Sequence, residues 1–179
     1  MVGRKWLSIN PIFEPDNISI ACNVPGTPAA SEIPISAGDA ITAIYYYWVH
    51  TIGPMLVWMA DCGGNCAEFD SKDARWFKIA ERGLLRGTLD EGWWFQRDFS
   101  QHFDGVSSNW TETIPMTLKP GNYLMRHEII ALHSANKPQF YPECVQLKVL
   151  GDGTETPSEE YYTELPGVWS MDRKFYSSV

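Results

Sequence analysis

The four histidines, His50, His102, His127 and His133, are the first places to look for chemistry, because imidazole ligates metals and moves protons near neutral pH. His127-Glu128 followed by His133 has the residue types of a zinc-protease helix but not its spacing. Such a site needs histidines at i and i+4 on one helix face, and position 131 is Ala131. The surrounding residues alternate as a strand, whose side chains repeat every two positions. Tyr123, Met125, His127, Ile129, Ala131 and His133 then share one face. Leu124, Arg126, Glu128, Ile130 and Leu132 share the other, where Arg126 and Glu128 are spaced to pair. A mid-strand His127 reads most simply as a hydrogen-bonded core residue. On the next apolar run the same alternation puts Gln139 and Tyr141 on one face, and His50 falls at a strand end just before Gly53-Pro54. A strand-end His, a His-Gln-Tyr group and surface aromatics together suit a small metal site. Other chemistries lack their patterns. No Ser sits in a nucleophile elbow, no Gly-rich loop cradles phosphate, and the 22 acids show no spacing that selects a carboxylate pair for glycoside hydrolysis.

The elements that must position these residues read as β throughout. Ile18 to Asn23, Asp39 to His50, Met55 to Ala60, Trp76 to Ile79, Trp110 to Ile114, Asn122 to His133 and Gln139 to Leu150 are β-branched, aromatic or apolar runs. Gly and Pro separate them; Pro120-Gly121 is a tight turn, with Pro presetting φ and Gly free to take φ > 0. Short strands at frequent intervals indicate a β-sandwich or barrel. Lys72 to Leu85 is the one passage with helical character. After Gly151 the strand pattern is lost, and 151–179 is expected to wrap the surface.

Composition sets limits. With 14 Lys and Arg against 22 Asp and Glu, the net charge is -8, which repels a phosphate backbone, so no nucleic-acid partner is expected. No apolar run approaches the ~18 residues of a membrane span, so no membrane partner is expected either. Eight Trp, eight Tyr and eight Phe make a rich β core or a set of rings that stack on sugars. The four cysteines, Cys22, Cys62, Cys66 and Cys144, allow three pairings. Two glycines let the chain turn back within Asp61-Cys62-Gly63-Gly64-Asn65-Cys66, so Cys62–Cys66 is the easiest pair and leaves Cys22–Cys144. A zinc site on Cys62 and Cys66 is the competing use, although no further His or Cys stands nearby to complete four ligands. Asn17-Ile18-Ser19 and Asn109-Trp110-Thr111 are glycosylation sequons. With paired cysteines they favour an oxidising compartment. Met1 to Trp6 carries no apolar stretch of a secretory signal, and a secreted type of chain without one points to a missing N-terminus.

The segment Leu118-Lys119-Pro120-Gly121-Asn122-Tyr123-Leu124-Met125-Arg126-His127-Glu128-Ile129-Ile130-Ala131-Leu132-His133, continued by Pro138-Gln139-Phe140-Tyr141-Pro142-Glu143-Cys144, resembles the fungal lytic polysaccharide monooxygenases of auxiliary activity family nine, formerly glycoside hydrolase family sixty-one. Trp48-Val49-His50-Thr51-Ile52-Gly53-Pro54-Met55, Trp76-Phe77-Lys78-Ile79 and Leu165-Pro166-Gly167-Val168-Trp169 resemble further family segments, and the likeness runs from about Trp6 to about Ser170. The resemblance implies an immunoglobulin/fibronectin-like antiparallel β-sandwich with long loops, all-β, in one catalytic-type domain over 1–179. It implies a secreted, extracellular monomer that holds one copper ion and cleaves cellulose or related β-1,4-glucans oxidatively, with electrons from a small reductant or redox protein. Copper in this family sits in a brace of three nitrogens, two from an N-terminal His and one from a second imidazole. Here His50 would be the second imidazole, Tyr141 the axial oxygen, and Gln139 and His133 the groups that orient oxygen or peroxide. Trp169 would stack on the glucan, and Cys22–Cys144 and Cys62–Cys66 would be the family's bridges. Two features depart from the pattern. No His precedes His50, so the family's first strand and brace His are expected upstream of Trp6. Two residues, rather than the one of many members, separate His50 from Gly53-Pro54. A non-catalytic glucan-binding sandwich, or an inactive fragment, is the alternative reading.

Overall fold

The computed structural model describes residues 1–99, 107–134 and 137–169. The strands are β1 (Ile33–Ser36), β2 (Ala40–Tyr45), β3 (Met55–Asp61), β4 (Arg75–Arg82), β5 (Leu84–Arg86), β6 (Trp93–Trp94), β7 (Ser108–Thr113), β8 (Gly121–Ala131), β9 (Gln139–Leu150) and β10 (Tyr162–Glu164). One sheet has six of them in the order β1-β9-β8-β3-β4-β10; β2 pairs with β7 as a second layer, and β5 with β6 as a hairpin. The fold is the expected β-sandwich. Its pairs are antiparallel except β1, which runs parallel to the end of β9.

The six-stranded sheet is buried on both faces, and the sequence of β3 shows why. Met55 to Ala60 are all buried. Leu56, Trp58 and Ala60 point into one core with Ile20, Trp76 and Leu124. Met55, Val57 and Met59 point into the other with Phe77, Trp110 and Met125. A strand covered on both sides reads as a continuous apolar run rather than an alternating one. The second core lies under the β2–β7 layer, and the first is roofed by the N-terminal segment and its disulfide. The alternation expected for β8 holds: Tyr123, Met125 and Ile129 enter one core, Leu124 and Ile130 the other.

The disulfides are Cys22–Cys144 and Cys62–Cys66, so Cys62 and Cys66 are not zinc ligands. Three local expectations change. Pro120-Gly121 is not the tight turn: Gly121 opens β8 without a positive φ, and the chain turns just before it, where the Leu118 N–H donates to the Pro115 carbonyl at 3.1 Å. Ile18 to Asn23 is not a strand: Ile18–Ile20 form a 3-10 turn, its start capped by the Asn17 side chain, which accepts from the Ser19 N–H. Buried Arg126 claims the carbonyls of Ile20 and Ala21 at 2.7 and 2.9 Å, which leaves no ladder for a strand. Lys72 to Leu85 is not a helix: a 3-10 turn at Ser71–Asp73 leads into β4 and then β5. Trp76 and Phe77 are adjacent and both buried, one in each core, which only a strand permits. The segment after Gly151 does more than cover the surface. Leu118 bridges Glu155, and β10 adds an edge to β4.

Candidate metal centre

His50 lies in the connection between β2 and β3, and that connection is tied to the end of β8. The Ile130 N–H donates to the Pro54 carbonyl at 3.0 Å, and the Leu132 N–H to the Ile52 carbonyl at 2.8 Å. The approach is close enough to demand glycine between them. Gly53 has φ of +130°, and a Cβ there would stand 1.8 Å from the Ile130 carbonyl oxygen. This glycine carries the chain against β8 and so delivers His50 beside His133. The two imidazoles stack with centroids 4.3 Å apart and planes 9° from parallel. His133 is two residues past the end of β8 and exposed, outside the alternation expected for it.

The other half of the group comes from β9. The register sets Gln139 opposite Ala131 and Tyr141 opposite Ile129, at the same sheet end. Isolated bridges from Ile12 to Phe140 and from Gly3 to Val145 cover the free edge of β9 there. The Tyr141 hydroxyl lies 3.0 Å from His50 Nε2 and donates to Gln139 Oε1 at 2.8 Å. Trp48 presents its ring edge-on to His50 and Tyr141, at centroid distances of 5.1 and 4.8 Å. The structure thus brings together His50, His133, Gln139 and Tyr141.

Burial, reinforced by His133, holds the His50 pKa below the usual imidazole value, so the ring is neutral with a free lone pair near pH 7. Burial pushes the Tyr141 phenol up to about 12, so it keeps its proton. A neutral imidazole and a protonated phenol facing one point would suit a copper ion, for which the imidazole is a strong donor and the phenol a weak one. Because the phenol proton is committed to Gln139, the oxygen lone pair faces His50. A cation held at Nε2 requires the imidazole proton to sit on Nδ1. No group of three or more His, Cys, Asp or Glu forms a metal site among the described residues.

The remaining candidates fall elsewhere. Trp169 is half-buried; its indole N–H turns inward to Glu128 Oε1 at 3.2 Å and its ring lies tilted 6.5 Å from Phe140. Asn17 and Asn109 are both exposed. His127 is half-buried in the middle of β8, with Nδ1 2.8 Å from the Tyr45 hydroxyl. His102 lies outside the described residues. Clefts of about 330 Å³ beside Arg4 and Asp70 and about 310 Å³ beside Arg75 and Tyr162 are not lined by His50, His133, Gln139 or Tyr141. Trp48 and Gly53 were not singled out as site residues. Trp48, two residues before His50, was within reach of the same alternation argument; the close approach at Gly53 depends on β8 and left no local trace.

Comparison with known proteins follows the same lines. The model of Auxiliary Activity family 9 (formerly GH61) matches residues 2–176. The AA9 family lytic polysaccharide monooxygenase B of Heterobasidion irregulare is 42% identical over 173 residues, covering 95% of this chain and 69% of that protein. The AA9 family lytic polysaccharide monooxygenase D of Thermothelomyces thermophilus is 42% identical over 175 residues, covering 93% of this chain and 66% of that protein. The chain therefore spans about two thirds of the length of these relatives. The crystal structure of a cellulose-active polysaccharide monooxygenase from M. thermophila superposes with a TM-score of 0.89 at 39% identity, over 97% of this chain and 77% of that one. That of HiLPMO9B gives 0.87 at 42% identity, over 94% and 75%. The chain belongs to Auxiliary Activity family 9, the family of these lytic polysaccharide monooxygenases.

Proposed function

We propose that this protein cleaves cellulose or a related β-1,4-glucan oxidatively, with one copper ion held at His50 and Tyr141. The observation that carries the proposal is the 3.0 Å approach of His50 Nε2 to the Tyr141 hydroxyl, set at an open sheet end in a chain of this family. His50 supplies a neutral imidazole nitrogen. Tyr141 keeps its proton and donates it in a hydrogen bond to Gln139 Oε1, so its phenol oxygen would be a weak donor without a negative charge. Gln139 fixes the phenol, the usual work of a group that orients a ligand by hydrogen bonding. His133, exposed and stacked on His50, is the proton donor or acceptor nearest the solvent side. A copper ion held by His50 and Tyr141 would supply the redox chemistry, the oxidation of a glucan ring C–H by dioxygen with two electrons and two protons from a small reductant or redox protein and from solvent, or by hydrogen peroxide.

An extended polysaccharide suits this placement, because the group lies outside the two clefts described above. Trp169, half-buried, is the aromatic proposed to meet the glucan. The same reading makes the protein an extracellular monomer, with glycans at the exposed Asn17 and Asn109.

The test uses protein expressed from its own gene, loaded with Cu(II) and incubated with amorphous cellulose and ascorbate. Mass spectrometry should show oxidised cello-oligosaccharides, and His50→Ala should abolish them. Tyr141→Phe should change the Cu(II) spectrum while copper stays bound; complete loss of copper would overturn the ligand assignment. Binding to cellulose without any oxidised product, copper being bound, would leave a glucan-binding sandwich in place of an enzyme.

A further inference from the structure

Where the His50 connection crosses β8, Pro54 faces Ile130 and has no N–H to offer it, and two backbone carbonyls there take a donor from a side chain. They belong to Gly53 and Ile130. Gln96 stands between them, and its Nε2 donates to the Gly53 oxygen and to the Ile130 oxygen, each at 3.1 Å. The side chain is 0% exposed. It arrives from the 3-10 turn Phe95–Phe99, whose Phe99 is buried in the second core with Phe95 packed beside it. An uncharged group that donates two hydrogens from one nitrogen is a primary amide, which among uncharged side chains only Gln and Asn carry, and the longer Gln has the reach for this contact.

We propose that Gln96 is a positioning residue that sets the separation of His50 from His133 by clamping the connection to β8. The clamp closes a three-part contact. The Leu132 N–H bonds Ile52, the Ile130 N–H bonds Pro54, and Gln96 joins the two carbonyls between. Without it, two buried carbonyls that face each other lose their donor, at the cost of leaving buried acceptors unmade. The cheapest relief is for the Ile52–Pro54 segment to lift from β8, and His50, two residues before Ile52, moves with it. Gln96 Oε1 is buried with no partner in the structure, so the clamp acts through the amide nitrogen alone. Its catalytic meaning rests on the function proposed above, but the clamp itself is testable on metal-free protein.

Gln96→Met keeps the length and removes both donors. Native-state hydrogen exchange should speed up about tenfold or more at the Ile130 and Leu132 amides, while Met125 and Val145, deep in the β8–β9 ladder, keep their protection. The ring resonances of His50 and His133 should shift together as the stack opens. Gln96→Asn, one methylene short, should give the same local pattern and serves if the Met variant does not fold. Uniform acceleration across the sheet, unmoved histidine resonances, or failure of both variants to fold would assign Gln96 to general core packing and overturn the proposal. A wild-type protein that oxidises no glucan but shows the local exchange pattern would overturn only the function, leaving the clamp intact.

Discussion

His127 shows how one half-buried ring makes stability depend on pH. Its Nδ1 faces the Tyr45 hydroxyl at 2.8 Å, and Trp110 lies edge-on at 5.3 Å. Glu143 stands opposite across the β8–β9 register, but burial raises that carboxyl to about 7, so below that pH it offers little charge to hold an imidazolium. Burial lowers the His127 pKa from 6.5 to about 4. Between those values the unfolded chain binds the proton and the folded chain does not. Stability from this group is therefore full above pH 6.5 and is lost as pH falls towards 4, by on the order of 3 kcal/mol. His127→Asn keeps an acceptor for Tyr45 and has nothing to titrate. Chemical denaturation at pH 7 and pH 4.5 should show a smaller acid loss in the variant than in the wild type; equal losses would mean that other groups carry the acid sensitivity. Gly53 is the second position where one residue decides the outcome. Gly53→Ala places a methyl 1.8 Å from a backbone oxygen at a φ that L-residues avoid, so we expect a loss of about 3 kcal/mol or more. The copper spectrum should change in any folded fraction, since His50 is displaced.

At the scale of the element, β8 is the strand through which the two faces are joined. Arg126 and Glu128 are both 0% exposed and paired at 2.7 Å. Arg126 binds the carbonyls of Ile20 and Ala21. Glu128 accepts from the indoles of Trp58 at 3.3 Å and Trp169 at 3.2 Å. One pair thus fastens the N-terminal turn, β3 and the last described residues to the middle of the sheet. Removing one partner leaves an uncompensated buried charge. Arg126→Met should therefore cost about 3–5 kcal/mol, and Arg126→Met with Glu128→Leu together should cost less than the single change. A double variant as unstable as the sum of its parts would show that the pair itself contributes nothing. This element was the most legible in the sequence. The fixed period of two along a strand assigned its faces and the Arg126–Glu128 pairing, and an apolar run marked β9 from Gln139 to Leu150. Gln139 and Tyr141 were readable for the same reason. β1 was not, since Pro34 and a neighbouring Pro/Gly/Ala/Ser loop mask it; it is tolerated because β1 is an edge strand. The Gln96 clamp and the 3-10 turn at Ile18–Ile20 depend on partners far along the chain, and no window of sequence contains them.

For the molecule as a whole, the two disulfides do unequal work, and their sequence separations say by how much. Cys22–Cys144 spans 122 residues and ties the turn under Arg126 to β9. Cys62–Cys66 spans 4 residues and closes a local loop after β3. If a bridge acts by restricting the unfolded chain, the long one contributes about 5 kcal/mol and the short one about 2. The long bridge also joins the segment that covers the edge of β9, where Gly3 and Ile12 pair with Val145 and Phe140, to the strand that carries Gln139 and Tyr141. Its loss should therefore reach the site as well as the stability. The paired change Cys22→Ala, Cys144→Ala should lower the denaturation free energy about twice as much as Cys62→Ala, Cys66→Ala. It should also raise hydrogen exchange at the Phe140 amide, which bonds the Ile12 carbonyl at 2.9 Å, before exchange rises at β3. The short-bridge variant should leave Phe140 protected. Equal losses from the two variants would mean that the native contacts around each bridge, and not the length of chain it closes, set its value.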